Sequence, residues 1–271
     1  MTFDMDMAAP SLEESKAFFR GAKISPQSLR PRTMSLNMLS AKSELSSPTS
    51  DDSDVLVGKD TPAVLGFSDN VSEDNRQAAK DSIHFSERYA DLKADIKRAP
   101  IEWHAHYREA MRHCGWTMTA YKYGSHTTSQ TNVTMEAIVL DIVNAVAGAN
   151  ASAMLNLVRS VFSTIKADDK LIQLFENTSK GGETGEFRIV PCLQSRAGTA
   201  ITLFLAVDCK LKSSEGGAWF WKWKWSQVKL NKVATMVELN RRVHLRNQDL
   251  IYDVLDKDSE AFFEGAKKLI S

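Results

Sequence analysis

The 271-residue chain carries 34 basic and 34 acidic side chains, so its zero formal net charge selects neither nucleic acid nor an anionic surface as a partner. Its 43% hydrophobic and 25% charged content is that of a folded globular protein, long enough for one large domain plus an extension. Three scattered cysteines, Cys114, Cys192 and Cys209, give neither a disulfide framework nor the CxxC spacing of zinc ribbons and thiol–disulfide sites.

The amino terminus, "MTFDMDMAAPSLEESKAFF", has acids where a secretory signal needs bases, and no apolar stretch follows them. Nowhere does the chain reach the roughly 18 consecutive apolar residues of a membrane helix. The expectation is a protein made soluble, cytoplasmic or stored as inclusions, without a signal peptide. Residues 1–75 hold five of the seven prolines and twelve acids against seven bases, with runs such as "SELSSPTSDDSD". That composition buries too little apolar surface to offset chain entropy, so 1–75 is expected to be a flexible, protease-sensitive extension and 76–271 the folded core.

From position 74, "DNRQAAKDSIHFSERYADLKADIKRA" has apolar residues at helical spacing and stops before Pro100. "IEWHAHYREAMRHC" predicts a second helix ending near Gly115. "WTMTAYKY" alternates as a strand and leads into the polar "GSHTTSQTN". A helical hairpin follows: "TMEAIVLDIVNAVAG", with Thr134 as N-cap and Gly148 as stop, then "ASAMLNLVRSVFSTIKA". "DDKLIQLFENTS" reads as a shorter third helix. "EFRIVPCLQ" and "TAITLFLAVDCKLK" read as strands joined by the turn "SRAG", and "SEGG" turns into a third, "AWFWKWKWSQVKLNKVATMVEL". A terminal helix is expected over 247–271. Helices flanking an antiparallel sheet give an α/β (α+β) class, a single layered domain.

Several constellations bear on chemistry. Glu102, His106, Glu109 and His113 lie at i, i+4, i+7 and i+11 of a helix; four groups over three turns cannot all reach one ion, and a solvated polar face competes with metal binding. Cys114 beside His113 is a neighbour in sequence only. There is no GxSxG, no phosphate-binding lysine loop and no GxGxxG. No catalysis, cofactor or metal is therefore expected. The Asn-x-Ser/Thr triplets at Asn70, Asn132, Asn150 and Asn177 are expected to be unmodified.

The segment "WFWKWKW" places Trp219, Trp221, Trp223 and Trp225 on one face of a strand, with Phe220, Lys222 and Lys224 on the other. Three readings compete. The indoles could fill the space under a helix layer as core. They could stack on bases in a region with nine bases against Glu215 and Glu238 between positions 210 and 246, although indoles and lysines then lie on opposite faces and no nucleic-acid partner is expected. Or they could settle at a lipid interface while Lys222 and Lys224 attract anionic headgroups. One internal echo stands apart: "SKAFFRGAK" at 15–23 and "SEAFFEGAK" at 259–267 share seven of nine residues. They are either two amphipathic helix turns that coincide, or two ligands for one groove, docking through Phe18 and Phe19 or through Phe262 and Phe263.

The order of elements, with "SQTNVTMEAIVLDIV" between strand and helix and "ITLFLAVDCKLKSSEGGAWFW" across the last turn, resembles the Cyt family of cytolytic delta-endotoxins and their Cyt-like relatives over about 73–239. The resemblance implies a protein trimmed at its ends by proteases that then binds lipid directly and oligomerises into pores or disrupts the bilayer. In this sequence the helices at 134–147 and 151–166 would swing off the sheet, and the strands at 199–212 and 218–239 would meet the membrane. Membrane lipid, other copies of the chain and a protease acting on 1–75 are the implied partners. A non-enzymatic self-assembly protein, its N-terminal segment docked on a neighbouring subunit, is the alternative.

Overall fold

The computed structural model describes residues 9–22, 24, 54–57, 63–96, 98–118, 123–128, 134–167, 184–210 and 228–270. They form an α/β chain with six helices: α1 (Leu12–Gly21), α2 (Glu73–Lys93), α3 (Pro100–His113), α4 (Met135–Val146), α5 (Ala151–Ala167) and α6 (Arg241–Ile270). The seven described strands are β1 (Asp54–Val57), β2 (Ala63–Phe67), β3 (Trp116–Met118), β4 (Tyr123–Thr128), β5 (Thr184–Gln194), β6 (Ala200–Lys210) and β7 (Val228–Leu239). The packing divides into two compact units, a helical one (1–33, 72–118 and 238–271) and a sheet unit (34–71 and 119–237).

The sheet unit is an open mixed sheet of order β1-β2-β5-β6-β7, with β4 antiparallel to β7. β5 and β6 pair antiparallel from Thr184↔Lys210 to Gln194↔Ala200 across the five residues 195–199, the first four of which form a turn. That turn is the "SRAG" of the sequence. Gly198 supplies a φ of 82°, its N–H donates to Ser195 O (2.9 Å), and Thr199 N–H donates to Ser195 Oγ (3.1 Å). The sheet was expected to be antiparallel throughout. It is mixed, because β2 lies parallel to β5, Ala63 opposite Arg188 through Phe67 opposite Cys192.

On one face of this sheet lies the α4–α5 hairpin. Thr134 caps α4 as expected, its hydroxyl accepting from Ala137 N–H at 3.2 Å, and Gly148 ends it with a φ of 52°. An ion pair between Lys166 and Glu136 ties the end of α5 to the start of α4.

The helical unit packs α2 against α3, with α1 and α6 against them. Gly115 ends this α3 segment with a φ of 100°, and a Cβ there would stand 2.8 Å from His244 N. Asn240 N–H donates to Gly115 O at 2.8 Å.

Three local expectations need correction. The 1–75 segment supplies α1, β1 and β2, because few but well-placed apolar residues are enough once packing partners arrive from distant sequence: Phe19, Val64, Leu65 and Phe67 are all buried. Its boundary with the core falls inside α2. The strand expected over 116–123 is two strands, the second running into the polar "GSHTT", where main-chain pairing with β7 replaces any hydrophobic pattern. The terminal helix starts at Arg241 rather than 247, because Asn240 Oδ1 accepts from Val243 N–H (3.2 Å) and caps it early. The expected helix at 168–179 lies outside the described residues.

Candidate functional site

The sheathed face of the sheet unit is assembled by two periodicities meeting. α4 turns Met135, Ile138, Val139, Ile142 and Val143 inward; α5 turns in Met154, Leu157, Val158, Val161, Phe162 and Ile165. These are i, i+3, i+4 and i+7 stripes. β6 meets them with alternate residues Ile201, Leu203, Leu205 and Val207, β5 with Ile189 and Leu193, and β2 with Val64. From β7, Ala234 and Met236 pack at the margin. The opposite sides of the helices carry exposed Asp141 and Asn144 on α4 and Arg159 and Ser163 on α5.

At Gly66 of β2 the approach is tight. A Cβ there would stand 2.7 Å from Val161 Cγ2 and 3.6 Å from Leu157 Cδ1, so only the bare glycine backbone lets α5 sit where it does. At the margin of the interface a cleft of about 440 Å³ is lined by Ser68, Asn70, Asn156, Ser160, Gln194 and Arg196, among others. Asn70 knits its floor, accepting from Ser68 Oγ at 2.6 Å and donating through Nδ2 to Gln194 O at 3.0 Å.

β5, β6 and β7 run for 11, 11 and 12 residues. A strand needs about 9–11 residues to cross a bilayer's hydrocarbon when tilted. Among the described residues no helix is long and apolar enough to cross a membrane.

In the helical unit, α1 fills a groove. Phe18 stacks on the His113 ring, 4.0 Å between centroids and 9° between planes, and lies 4.8 Å from Tyr89. Phe19 meets Phe85 at 5.0 Å. Beneath them Asn247 Nδ2 of α6 donates to Ser15 Oγ (3.1 Å) and to His113 O (2.8 Å), and Ser15 Oγ lies 3.3 Å from His113 Nδ1. Burial, helped by Arg112 and opposed by Glu14, lowers the His113 pKa to about 4, so the ring is neutral at pH 7.

The four candidate ligands on α3 separate. His106 lies between Glu102 (4.0 Å) and Glu109 (3.5 Å), whereas His113 serves the α1 groove. Cys114 is buried, and desolvation pushes its thiol pKa well up, with Ser82 and Ser86 drawing it partly back. Such a thiol is a poor nucleophile. His244 Nδ1 lies 2.9 Å from Cys114 O, so that histidine meets the cysteine's backbone and not its sulfur. Trp219, Trp221, Trp223, Trp225, Lys222 and Lys224 lie outside the described residues, as do the side chains of Phe262 and Phe263.

No family model matches this chain, and no curated protein matches it. Solved structures do. One is a delta-endotoxin, with a TM-score of 0.39 and 11% identity, covering 72% of this chain and 85% of that one. Another is the Evf virulence factor, with a TM-score of 0.34 and 11% identity, covering 90% of this chain and 89% of that one. The likeness is a distant one of fold.

Sequence reasoning found the hairpin and the strands beneath it but missed β2, the Gly66 approach and the Ser15–His113–Asn247 network. A glycine inside the apolar run "AVLGF" is the signal that could have found Gly66, since glycine within a strand marks a close approach. For α1 it was the capping box: Ser11 Oγ accepts from Glu14 N–H (3.2 Å) while the Glu14 carboxylate accepts from Ser11 N–H (2.6 Å).

Proposed function

We propose that the protein is membrane-active and non-catalytic, with α4–α5 as a sheath that lifts from the sheet when lipid is present. The observation that carries this reading is the hairpin itself. Two amphipathic helices cover an apolar face formed largely by strands that are each long enough to span hydrocarbon. Each buried aliphatic or aromatic side chain at that interface is favoured over water by roughly 1.5–3 kcal/mol, so the sheath leaves only when another apolar phase receives both surfaces. A bilayer is such a phase. Strands entering it from one open sheet would still carry unpaired edges, so assembly between several copies belongs to the same reading. The tryptophan ribbon, with Trp219, Trp221, Trp223 and Trp225 flanked by Lys222 and Lys224, is the proposed lipid contact. Proteolysis within 23–53 is the proposed trigger, since it would leave α1 attached by side-chain contacts alone.

The test pins the sheath. Because a Cβ at position 66 falls within 2.7 Å of Val161 Cγ2, cysteines at 66 and 161 lie within reach of a disulfide. Dye release from anionic and neutral liposomes is then measured for the Gly66→Cys, Val161→Cys variant, before and after limited proteolysis. The reduced form is expected to release dye after trimming and the oxidised form to release none. Equal release from both forms would remove the hairpin from the mechanism. No release and no vesicle co-sedimentation by the wild-type chain, intact or trimmed, would end the membrane reading.

A further inference from the structure

The segment that fills the α1 groove recurs later in the same chain. The residues of α1 and its C-cap that face the groove are Ser15, Phe18, Phe19 and Ala22. Ser15, Phe19 and Ala22 are 0%, 5% and 1% exposed, and Phe18 is half-buried against His113 and Tyr89. All four recur at identical spacing as Ser259, Phe262, Phe263 and Ala266. The two positions that differ within the nine are Lys16, replaced by Glu260, and Arg20, replaced by Glu264. Lys16 is half-exposed and paired with Glu13, and Arg20 is exposed, so neither substitution alters the face that enters the groove. A coincidence of two amphipathic turns would conserve the apolar positions. It has no reason to conserve the serine whose hydroxyl accepts from Asn247 in the floor of the groove.

We infer that the groove between α2, α3 and α6 is a self-association site, and that its ligand is the 259–267 segment of a second copy of this chain, which binds in place of α1. The second copy follows from helix geometry. Asn247 lies in the groove floor on α6, and α6 continues as helix to Ile270. At 1.5 Å per residue, Ser259 stands roughly 18 Å further along the axis than Asn247. A helix cannot fold its own end back onto its own side, so the chain that supplies the segment is not the chain that receives it. Groove and ligand are different surfaces of the same molecule, which makes the contact head-to-tail: it closes into rings or grows as filaments, and α1 holds it off. Asn247 Nδ2, now given to Ser15, would pass to Ser259. Phe262 and Phe263 would take the places of Phe18 beside His113 and Phe19 beside Phe85.

This pairing does not rest on the membrane reading, and its test contains no lipid. A labelled peptide spanning 256–270 is titrated into the full wild-type chain, followed by fluorescence anisotropy and by hydrogen exchange of the 12–22 amides. Saturable binding is expected, with exchange across 12–22 rising at least tenfold, and neither effect with a peptide carrying Phe262→Asp and Phe263→Asp. The second arm uses the full chain with Phe19→Asp, which loosens α1. Its mass by light scattering is expected to rise with concentration, and adding Phe262→Asp and Phe263→Asp to the same chain should return it to the monomer. If Phe19→Asp does not fold, the peptide arm decides alone. A peptide that leaves 12–22 exchange unchanged overturns the inference, whether it fails to bind or binds elsewhere.

Discussion

Asn247 shows how much one side chain carries in the helical unit. It is fully buried, and its amide nitrogen serves two acceptors from distant parts of the chain, Ser15 Oγ and His113 O. Buried polar atoms are tolerable only while satisfied. Asn247→Ala removes both hydrogen bonds, leaving Ser15 Oγ only its 3.3 Å contact with His113 Nδ1, and is expected to lower the stability of the helical unit by about 1–3 kcal/mol, read as a denaturation midpoint at unchanged slope. Asn247→Asp keeps the shape but removes both donated hydrogen bonds, so it should recover little of that loss at neutral pH. None of this was legible in advance. An asparagine within "RNQDLIYDV" reads as a helix start, and its partners lie 134 and 232 positions away. What the sequence did display at this scale were a cap and a turn whose partners are local: Thr134 with Ala137, and Ser195 with Gly198 inside "SRAG".

The hairpin and the strands beneath it were readable for the opposite reason. Their apolar positions repeat at 3.6 in α4 and α5 and at 2 in β6, and their ends carry Thr134, Gly148 and Gly198. β1, β2 and β4 were not readable. The first two are short runs in a polar neighbourhood, and β4 is held to β7 by main-chain hydrogen bonds that any sequence can make. Where β2 meets α5, the fit turns on a missing atom. Gly66→Ala puts a methyl 2.7 Å from Val161 Cγ2, on a β-branched side chain with little rotameric freedom. Overpacking of this kind costs about 1–3 kcal/mol, so the sheet unit is expected to melt earlier by that measure. Val161→Ala alone should destabilise by leaving a cavity, yet combined with Gly66→Ala it should return much of the loss. A double-mutant cycle checks this: strictly additive effects would mean that α5 moves away freely and that Gly66 does not set its distance from the sheet.

Acid should separate the two units of the molecule. Of the six histidines, His84, His104, His106, His113 and His244 belong to the helical unit and only His126 to the sheet unit. Three of the five are held below the ordinary value of 6.5. For His84 burial and then Arg88 bring the pKa to about 4; for His113 burial and Arg112, against Glu14, also bring it to about 4. For His244 burial lowers it, with Arg241 acting the same way and Cys114 O and Asp81 opposing. A histidine whose folded pKa is depressed binds protons more readily unfolded than folded. Its neutral form therefore contributes stability that is complete above about pH 6.5 and is lost as the pH falls towards 4. Asp81 works the other way: burial raises its carboxyl pKa, so protonating it favours the fold, but it is one group against three. Because His113 stacks on Phe18 and faces Ser15, the α1 groove lies within this acid-sensitive set. Hydrogen exchange measured from pH 7 to 4.5, corrected for the intrinsic pH dependence of exchange, is expected to show α1, α2, α3 and α6 losing protection while β5 and β6 keep theirs. Equal loss in both units would mean that the molecule opens as one body. An unchanged helical unit would mean that these rings reach water readily enough to titrate at their ordinary value.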